Sequence, residues 1–198
     1  VEAKLREHKL ENTQLNIVKP GSTVQFGCFK VEFVNVSHSI AGSCALAITT
    51  PAGVVFHTGD FKVDYTPVDG NVINLQRIAE IGNRGVLLLL AESTNIERPG
   101  TSMSETTVGA SFNNIFADNT ERRIFIATFA SNIHRIQQII DLAVKYKRKV
   151  AFCGRSMINI SAAAARIGEL RYPDDMVVDL DTRKKVEDKN LVSIPTGS

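Results

Sequence analysis

Val36-Ser37-His38-Ser39-Ile40, with His57-Thr58-Gly59-Asp60-Phe61-Lys62 further along, is the part of the chain from which the rest is read. Each segment puts a possible metal ligand just past an apolar strand. Val31, Phe33 and Val36 lead into His38, while Val54, Val55 and Phe56 lead into His57 and Asp60. A side chain at a strand end is held by the sheet yet faces open space, as a catalytic ligand must. Both segments also have an ordinary reading. A histidine after a strand often serves as a hydrogen-bonded structural residue, and Thr-Gly-Asp is a common turn. Spacing alone leaves both readings open.

The surroundings predict a half-solvated antiparallel sheet. Residues 1–13 are charged and aperiodic, and read as a surface segment or a frayed helix. A strand is expected over 14–18 and a turn at Pro20-Gly21, and residues 29–33 alternate apolar with charged. Strands over 44–49 and 54–58 joined by Pro51-Ala52-Gly53 make a hairpin, with Asp60 just beyond its exit.

From about Val72 the texture changes. Ile73, Leu75, Ile78 and Ile81 have helical spacing, Gly82 is placed to end that helix, and 86–91 is a continuous apolar strand of the kind buried on both faces. Helix and strand then alternate. Ser104 caps a helix running to about Asp118, a strand covers 123–128, and a helix covers 132–146 with Ile133, Ile136, Ile140 and Val144 along one side. A strand over 149–153, a helix over 156–170, and strands over 176–180 and 191–194 complete the chain. This order predicts a parallel sheet with right-handed crossovers. The break at Glu97-Arg98-Pro99-Gly100 sets the expected division, 1–95 and 96–198.

In a parallel sheet the ligand crevice lies at the carboxyl ends of the strands. Here those ends are small and polar: Thr128 with Ser131-Asn132, Gly154-Arg155-Ser156, and Thr196-Gly197-Ser198. Helices opening there present free N–H groups that suit a phosphate, and Ser131, Asn132 and Ser156 also serve as ordinary N-caps. His134 lies in a first helical turn, and Arg155 is the basic residue placed at the crevice edge. The cluster Lys145, Lys147, Arg148, Lys149 precedes its strand, at the opposite edge, and reads as solvated surface, as does Arg183-Lys184-Lys185. Phe129 reads as core rather than as a base-stacking aromatic.

Composition bounds the classes. The 198 residues are 43% hydrophobic and 22% charged, as in globular proteins, and no apolar run approaches a membrane span. Net charge is +2, so any case for nucleic acid must be local. Cys28, Cys44 and Cys153 are widely spaced in apolar segments, which predicts reduced, buried thiols and a cytoplasmic protein. Gly-x-Gly-x-x-Gly and Walker loops are absent, which argues against a nucleotide-binding Rossmann protein.

The motifs taken together resemble a known family. The His38 and Asp60 segments resemble the third and fourth metal motifs of metallo-β-lactamase-fold nucleases. Ala91-Glu92-Ser93-Thr94-Asn95, Phe129-Ala130-Ser131-Asn132-Ile133-His134-Arg135 and Gly154-Arg155-Ser156-Met157 look like the ribonuclease J branch of the β-CASP group. The resemblance implies an α/β fold: the second half of a metallo-β-lactamase-type αββα sandwich joined to a Rossmann-like β-CASP domain. It implies two zinc ions, with His38 a ligand and Asp60 bridging both, Glu92 as a supporting or proton-handling carboxylate, and His57 in the surrounding shell or in a buried structural role. Ser131, Asn132, His134 and Arg155 would hold RNA phosphate.

The family's His-x-His-x-Asp-His run does not occur here, so the resemblance implies the middle of a larger enzyme, with this stretch alone nearly inactive. The implied activity is 5′-to-3′ exonuclease and endonuclease cleavage of single-stranded RNA in RNA processing and decay, by a cytoplasmic dimer or tetramer with no membrane partner. The alternatives are another β-CASP nuclease, such as the messenger-RNA 3′-end cleavage type, and a non-catalytic RNA-binding or scaffold homologue.

Overall fold

The computed structural model describes residues 1–10, 12–179 and 185–197. After α1 (Glu2–Glu7) the first sheet contains β1 (Thr23–Phe26), β2 (Phe29–Asn35), β3 (Cys44–Thr50) and β4 (Gly53–His57), each antiparallel to the next. The period-two pattern works as expected. Val34, Ala45, Ala47 and Phe56 are buried on one face, and β2 keeps Glu32 on that same side. The strand expected over 14–18 does not form; β1 lies beyond the Pro20-Gly21 turn. Leu15 and Ile17 are exposed, and only the segment after the turn pairs with β2.

Helix α2 (Leu75–Asn83) covers this sheet with Ile81, and Ile73 just before it joins the same cluster. Asn74 caps it by accepting the Arg77 N–H at 3.0 Å. Gly82 lies inside the helix rather than ending it. The chain takes up positive φ three residues later, at Gly85.

Arg77 reaches from α2 to the sheet and donates two hydrogen bonds to the Glu32 carboxylate, at 2.5 and 2.9 Å. The Arg77 hydrogen bonds hold the Glu32 carboxyl below its ordinary value, against the upward push of partial burial. A depressed carboxyl stabilises the fold above its unfolded value and loses that contribution as pH falls through the folded one. The expected result is a stability loss on acidification below about pH 4.5. Glu32→Gln should flatten that part of a urea-midpoint profile, and an unchanged profile would remove the pair from the account.

Strand β5 (Leu88–Leu90) adds to β4 in parallel. Its expected burial on both faces is not seen. Leu88, Leu89 and Leu90 are 48%, 60% and 44% exposed at the sheet edge, because the described residues supply no layer there.

The second sheet is wholly parallel, in the order β6 (Ile124–Phe125), β8 (Leu191–Pro195), β7 (Lys149–Cys153). Strand β6 is shorter than the 123–128 expected, with Thr128 rejoining the sheet as a single bridge to Thr196. Over 176–180, Val177 makes one bridge to Val150, and Leu180 lies outside the described residues. Helices α3 (Glu105–Asp118), α4 (Ile133–Lys145) and α5 (Arg155–Arg166) pack around it. Phe116, Ile136, Ile140, Met157 and Ile194 are fully buried in its core.

Three smaller expectations are corrected. Arg148 is 3% exposed rather than solvated; its guanidinium donates to the carbonyls of Arg122 and Asn119 and lies 5.7 Å from the Phe116 ring. Of that basic cluster, Lys149 pairs with Asp175 and Lys145 donates to Asn113. Arg183 and Lys184 lie outside the described residues. The cysteines are not all buried: Cys28 is exposed because it sits in the β1–β2 turn, and Cys44 and Cys153 are half-buried. Phe129 is 61% exposed and not core.

Candidate functional site

The exits of β2 and β4 are tied together by backbone. Ser37 and Lys62 form an antiparallel bridge, with the Lys62 N–H donating to the Ser37 carbonyl at 2.8 Å. This sets His38 and Asp60 on adjoining loops. Ser37 is buried, and its hydroxyl donates to the Asn71 carbonyl at 3.1 Å, so the loop before His38 is anchored from both sides.

The Thr58-Gly59-Asp60 turn is built tightly. Gly59 has φ +60, and a Cβ there would lie 2.8 Å from the Cys44 carbonyl oxygen. Its N–H donates to His57 Nδ1 at 2.9 Å. His57 is exposed, so the buried structural role does not apply, and its ring steadies the turn that carries Asp60. Gly59→Ala is expected to cost about 2 kcal/mol in the urea midpoint, from left-handed backbone and the carbonyl clash together. A neutral substitution would show that the turn relaxes freely.

Thr58 joins the two parallel strands at their ends. Its N–H donates to the Leu90 carbonyl at 3.0 Å, and its hydroxyl accepts the Glu92 N–H at 3.1 Å. Glu92 is thereby held beside the Asp60 turn, with Oε2 accepting the Thr94 N–H at 2.7 Å.

His38, Asp60 and Glu92 come together at one cavity of about 580 Å³, which Lys62, Glu105 and Arg135 also line. A neighbouring cavity of about 790 Å³ shares His38, Lys62 and Glu105 and adds Asp64, Asp69 and His134. His134 Nε2 is 3.9 Å from Asp69 Oδ2. Ser131, Asn132 and Arg155 line neither cavity. Asn132 is buried and caps α4, its Oδ1 accepting the Arg135 N–H at 3.1 Å. Ser131 immediately precedes it and is half-buried. Helix α5 begins at Arg155, not Ser156. Its cap is Gly154, whose φ of +99 serves the turn out of β7, so no side-chain cap forms and Arg155 and Ser156 are exposed in the first turn.

As a metal site, His38 and Asp60 are the right kind but too few. Imidazole nitrogen and carboxylate oxygen are donors that zinc takes, and a tetrahedral ion needs four. Among the described residues no group of three or more His, Cys, Asp or Glu could hold an ion.

Sequence reading missed five charged lining residues: Lys62, Asp64, Asp69, Glu105 and Arg135. Lys62 and Arg135 stood inside the motifs already singled out, but nothing local signals that they converge. Burial pushes the Asp64 carboxyl up, but the Thr66 N–H, the Ser104 hydroxyl and Lys62 outweigh it, so Asp64 stays below the ordinary carboxylate value.

Known proteins resemble this chain. Residues 121–198 match the family model described as ribonuclease J, beta-CASP domain. Ribonuclease J of Synechocystis sp. is 46% identical over 190 residues, which cover 96% of this chain and 30% of that protein. The chain belongs to the ribonuclease J family. Ribonuclease J of Helicobacter pylori is 39% identical over 99% of the chain and 29% of its own length, and that of Thermus thermophilus 40% over 98% and 34%. The chain thus spans about a third of these ribonuclease J proteins. A crystal structure of a protein of unknown function from Enterococcus faecalis is similar with a TM-score of 0.62 at 20% identity, over 95% of this chain and 46% of that one. That likeness concerns fold alone. The fold is α/β, with the mixed sheet of a metallo-β-lactamase-type sandwich beside the parallel sheet of a β-CASP domain. Among the described residues no helix is long and apolar enough to cross a membrane.

Proposed function

We propose that the protein containing this chain is a zinc-dependent ribonuclease that cleaves single-stranded RNA, with 5′-to-3′ exonuclease and endonuclease modes, in cytoplasmic RNA processing and decay. The observation that supports this most is the meeting of His38, Asp60 and Glu92, from three separate strand ends, at one polar cavity that also includes Arg135 of α4. Ribonuclease J names the matched relatives over nearly the whole chain, which supports the same substrate class.

In this reading His38 would supply an imidazole ligand and Asp60 the carboxylate for both ions, with the remaining donors coming from other parts of the protein. A bound pair of zinc ions would supply hydroxide near neutral pH and stabilise the leaving oxygen of a phosphodiester. Glu92, held by Thr58, orients ligands or carries a proton. The His57 ring holds Gly59 and so aims Asp60. Ser131, His134 and Arg155 take RNA phosphate, and Asn132 contributes by fixing the start of α4, whose first N–H groups favour an anion. A division at 95/96 would separate the metallo-β-lactamase-type and β-CASP parts, and the protein would work as a dimer or tetramer. This stretch by itself would be nearly inactive, having two metal donors.

The test is cleavage of 5′-monophosphorylated single-stranded RNA by the full-length protein, before and after chelation and with zinc restored. Loss on chelation and recovery with zinc is the expected result. A folded, zinc-loaded protein that binds RNA without cutting it would replace this reading with that of a non-catalytic RNA-binding homologue.

A further inference from the structure

We propose that Lys62, Glu105 and Arg135 form a polar strut that sets the spacing between the Asp60 loop and the start of α4, and so determines where along a bound RNA chain the cut falls. This inference rests on the nuclease reading above and deepens it.

The strut begins beside the proposed metal loop. The Lys62 backbone is bridged to Ser37, next to His38, and its ammonium lies 3.3 Å from Asp64 Oδ2 and 4.0 Å from Glu105 Oε1 and donates to the Met103 carbonyl at 3.4 Å. Glu105 opens α3 and accepts two hydrogen bonds from Arg135, from Nη2 at 2.7 Å and from Nε at 3.1 Å. Arg135 stands in the first turn of α4, and its own N–H is the one that Asn132 caps. One continuous line of charge-assisted contacts therefore runs from the Asp60 loop, through the start of α3, to the phosphate-side end of α4.

A second row braces the same junction. Asp64 Oδ1 accepts the Thr66 N–H at 3.0 Å, and the Thr66 carbonyl accepts from the hydroxyls of Ser104 at 2.9 Å and Thr106 at 2.6 Å. The Thr66 hydroxyl donates to Ser104 Oγ at 3.1 Å. The start of α3 is thus clamped to the loop leaving the first sheet, and Glu105 projects from a fixed base.

The geometry of the pair is what makes this a spacing device. A bidentate guanidinium-carboxylate pair fixes both distance and angle, whereas a point charge fixes neither. Side-chain exposure of the three residues is 13% to 27%, so the contacts are largely shielded from water. All three line the cavity that contains His38, Asp60 and Glu92. A displacement on the order of 1 Å between a held phosphate and the reacting centre costs about a hundredfold in rate. Lys62, Glu105 and Arg135 are positioning residues in this account.

The test uses the full-length protein and an end-labelled, 5′-monophosphorylated single-stranded RNA of defined length. Glu105→Gln keeps the shape and removes the charge pair; Arg135→Lys keeps the charge and removes the fork. Each is expected to lower kcat about tenfold to a hundredfold with KM nearly unchanged, and to shift the product lengths. The double exchange Glu105→Arg with Arg135→Glu rebuilds the pair with α4 but sets a second cation beside Lys62, so it should not recover the original product lengths. Thermal melting is recorded for each variant, and the milder Glu105→Gln serves if the exchange does not fold. Unchanged product lengths and kcat in folded variants, or a loss that only follows the melting temperature, overturn the strut. Failure of the unsubstituted protein to cut RNA at all overturns the nuclease reading, and the strut with it.

Discussion

Replacing Asp60 by alanine in the full-length protein is expected to lower RNA cleavage about a thousandfold or more while leaving the fold intact. The magnitude follows from the role. In the proposed role a carboxylate shared by two ions would hold both in place, and its loss would remove several kcal/mol of transition-state stabilisation, at about 1.4 kcal/mol per factor of ten. The fold is spared because Asp60 is exposed and the turn that carries it is held by others, the Gly59 N–H to His57 and the Thr58 contacts to Leu90 and Glu92. Cleavage rate, zinc content and melting temperature should be measured on the same preparation. Activity and zinc should fall together at constant melting temperature. Cleavage at the unsubstituted rate would remove Asp60 from the chemistry and with it the two-metal assignment.

Arg148→Met should have the largest effect on stability, with no part of the proposed site touched. Arg148 is buried, its guanidinium is satisfied by the carbonyls of Arg122 and Asn119, and it lies over the fully buried Phe116. Burial pushes its pKa down, although a guanidinium stays charged. Methionine fills much of the stem but donates nothing, which leaves the Arg122 and Asn119 carbonyls without these donors. The expected cost is about 2 to 4 kcal/mol, read as a lower urea midpoint at unchanged slope. Arg148→Lys should recover only part of it, since one ammonium does not span both carbonyls with the same geometry. A shift below about 0.5 kcal/mol would mean that water satisfies those carbonyls equally well.

Local elements of this fold are legible in the residues taken in order; their surroundings are not. Alternation from Phe29 to Phe33, the Pro51-Ala52 turn and the helical spacing of Ile133, Ile136 and Ile140 are local signals, and strands, hairpin and helix follow them. Ser104 and Asn132 are caps as their residue types suggest. The failures share a cause. The Val86 to Leu90 run says that a strand is apolar, not what lies against it, and here β5 stands exposed at an edge. Arg148 looked like a member of a basic surface cluster because charge in sequence carries no information about which carbonyls will surround it. Gly82 looked like a helix stop, yet α2 continued to Asn83 because nothing in its packing required left-handed backbone before Gly85.

Read along the chain, the residues carry the order of the main elements, the caps at Ser104 and Asn132, and the strand ends on which His38, Asp60 and Glu92 stand, because periodicity and turn chemistry act over a few residues. The packed fold is what brings those three strand ends to one cavity, sets His57 against the Gly59 turn, and joins Lys62, Glu105 and Arg135 in one line. Except for His57 and Gly59, two positions apart, these meetings join residues distant in the chain, 30 positions in the case of Glu105 and Arg135, and the packing of two sheets and their helices brings them together where no local pattern encodes it.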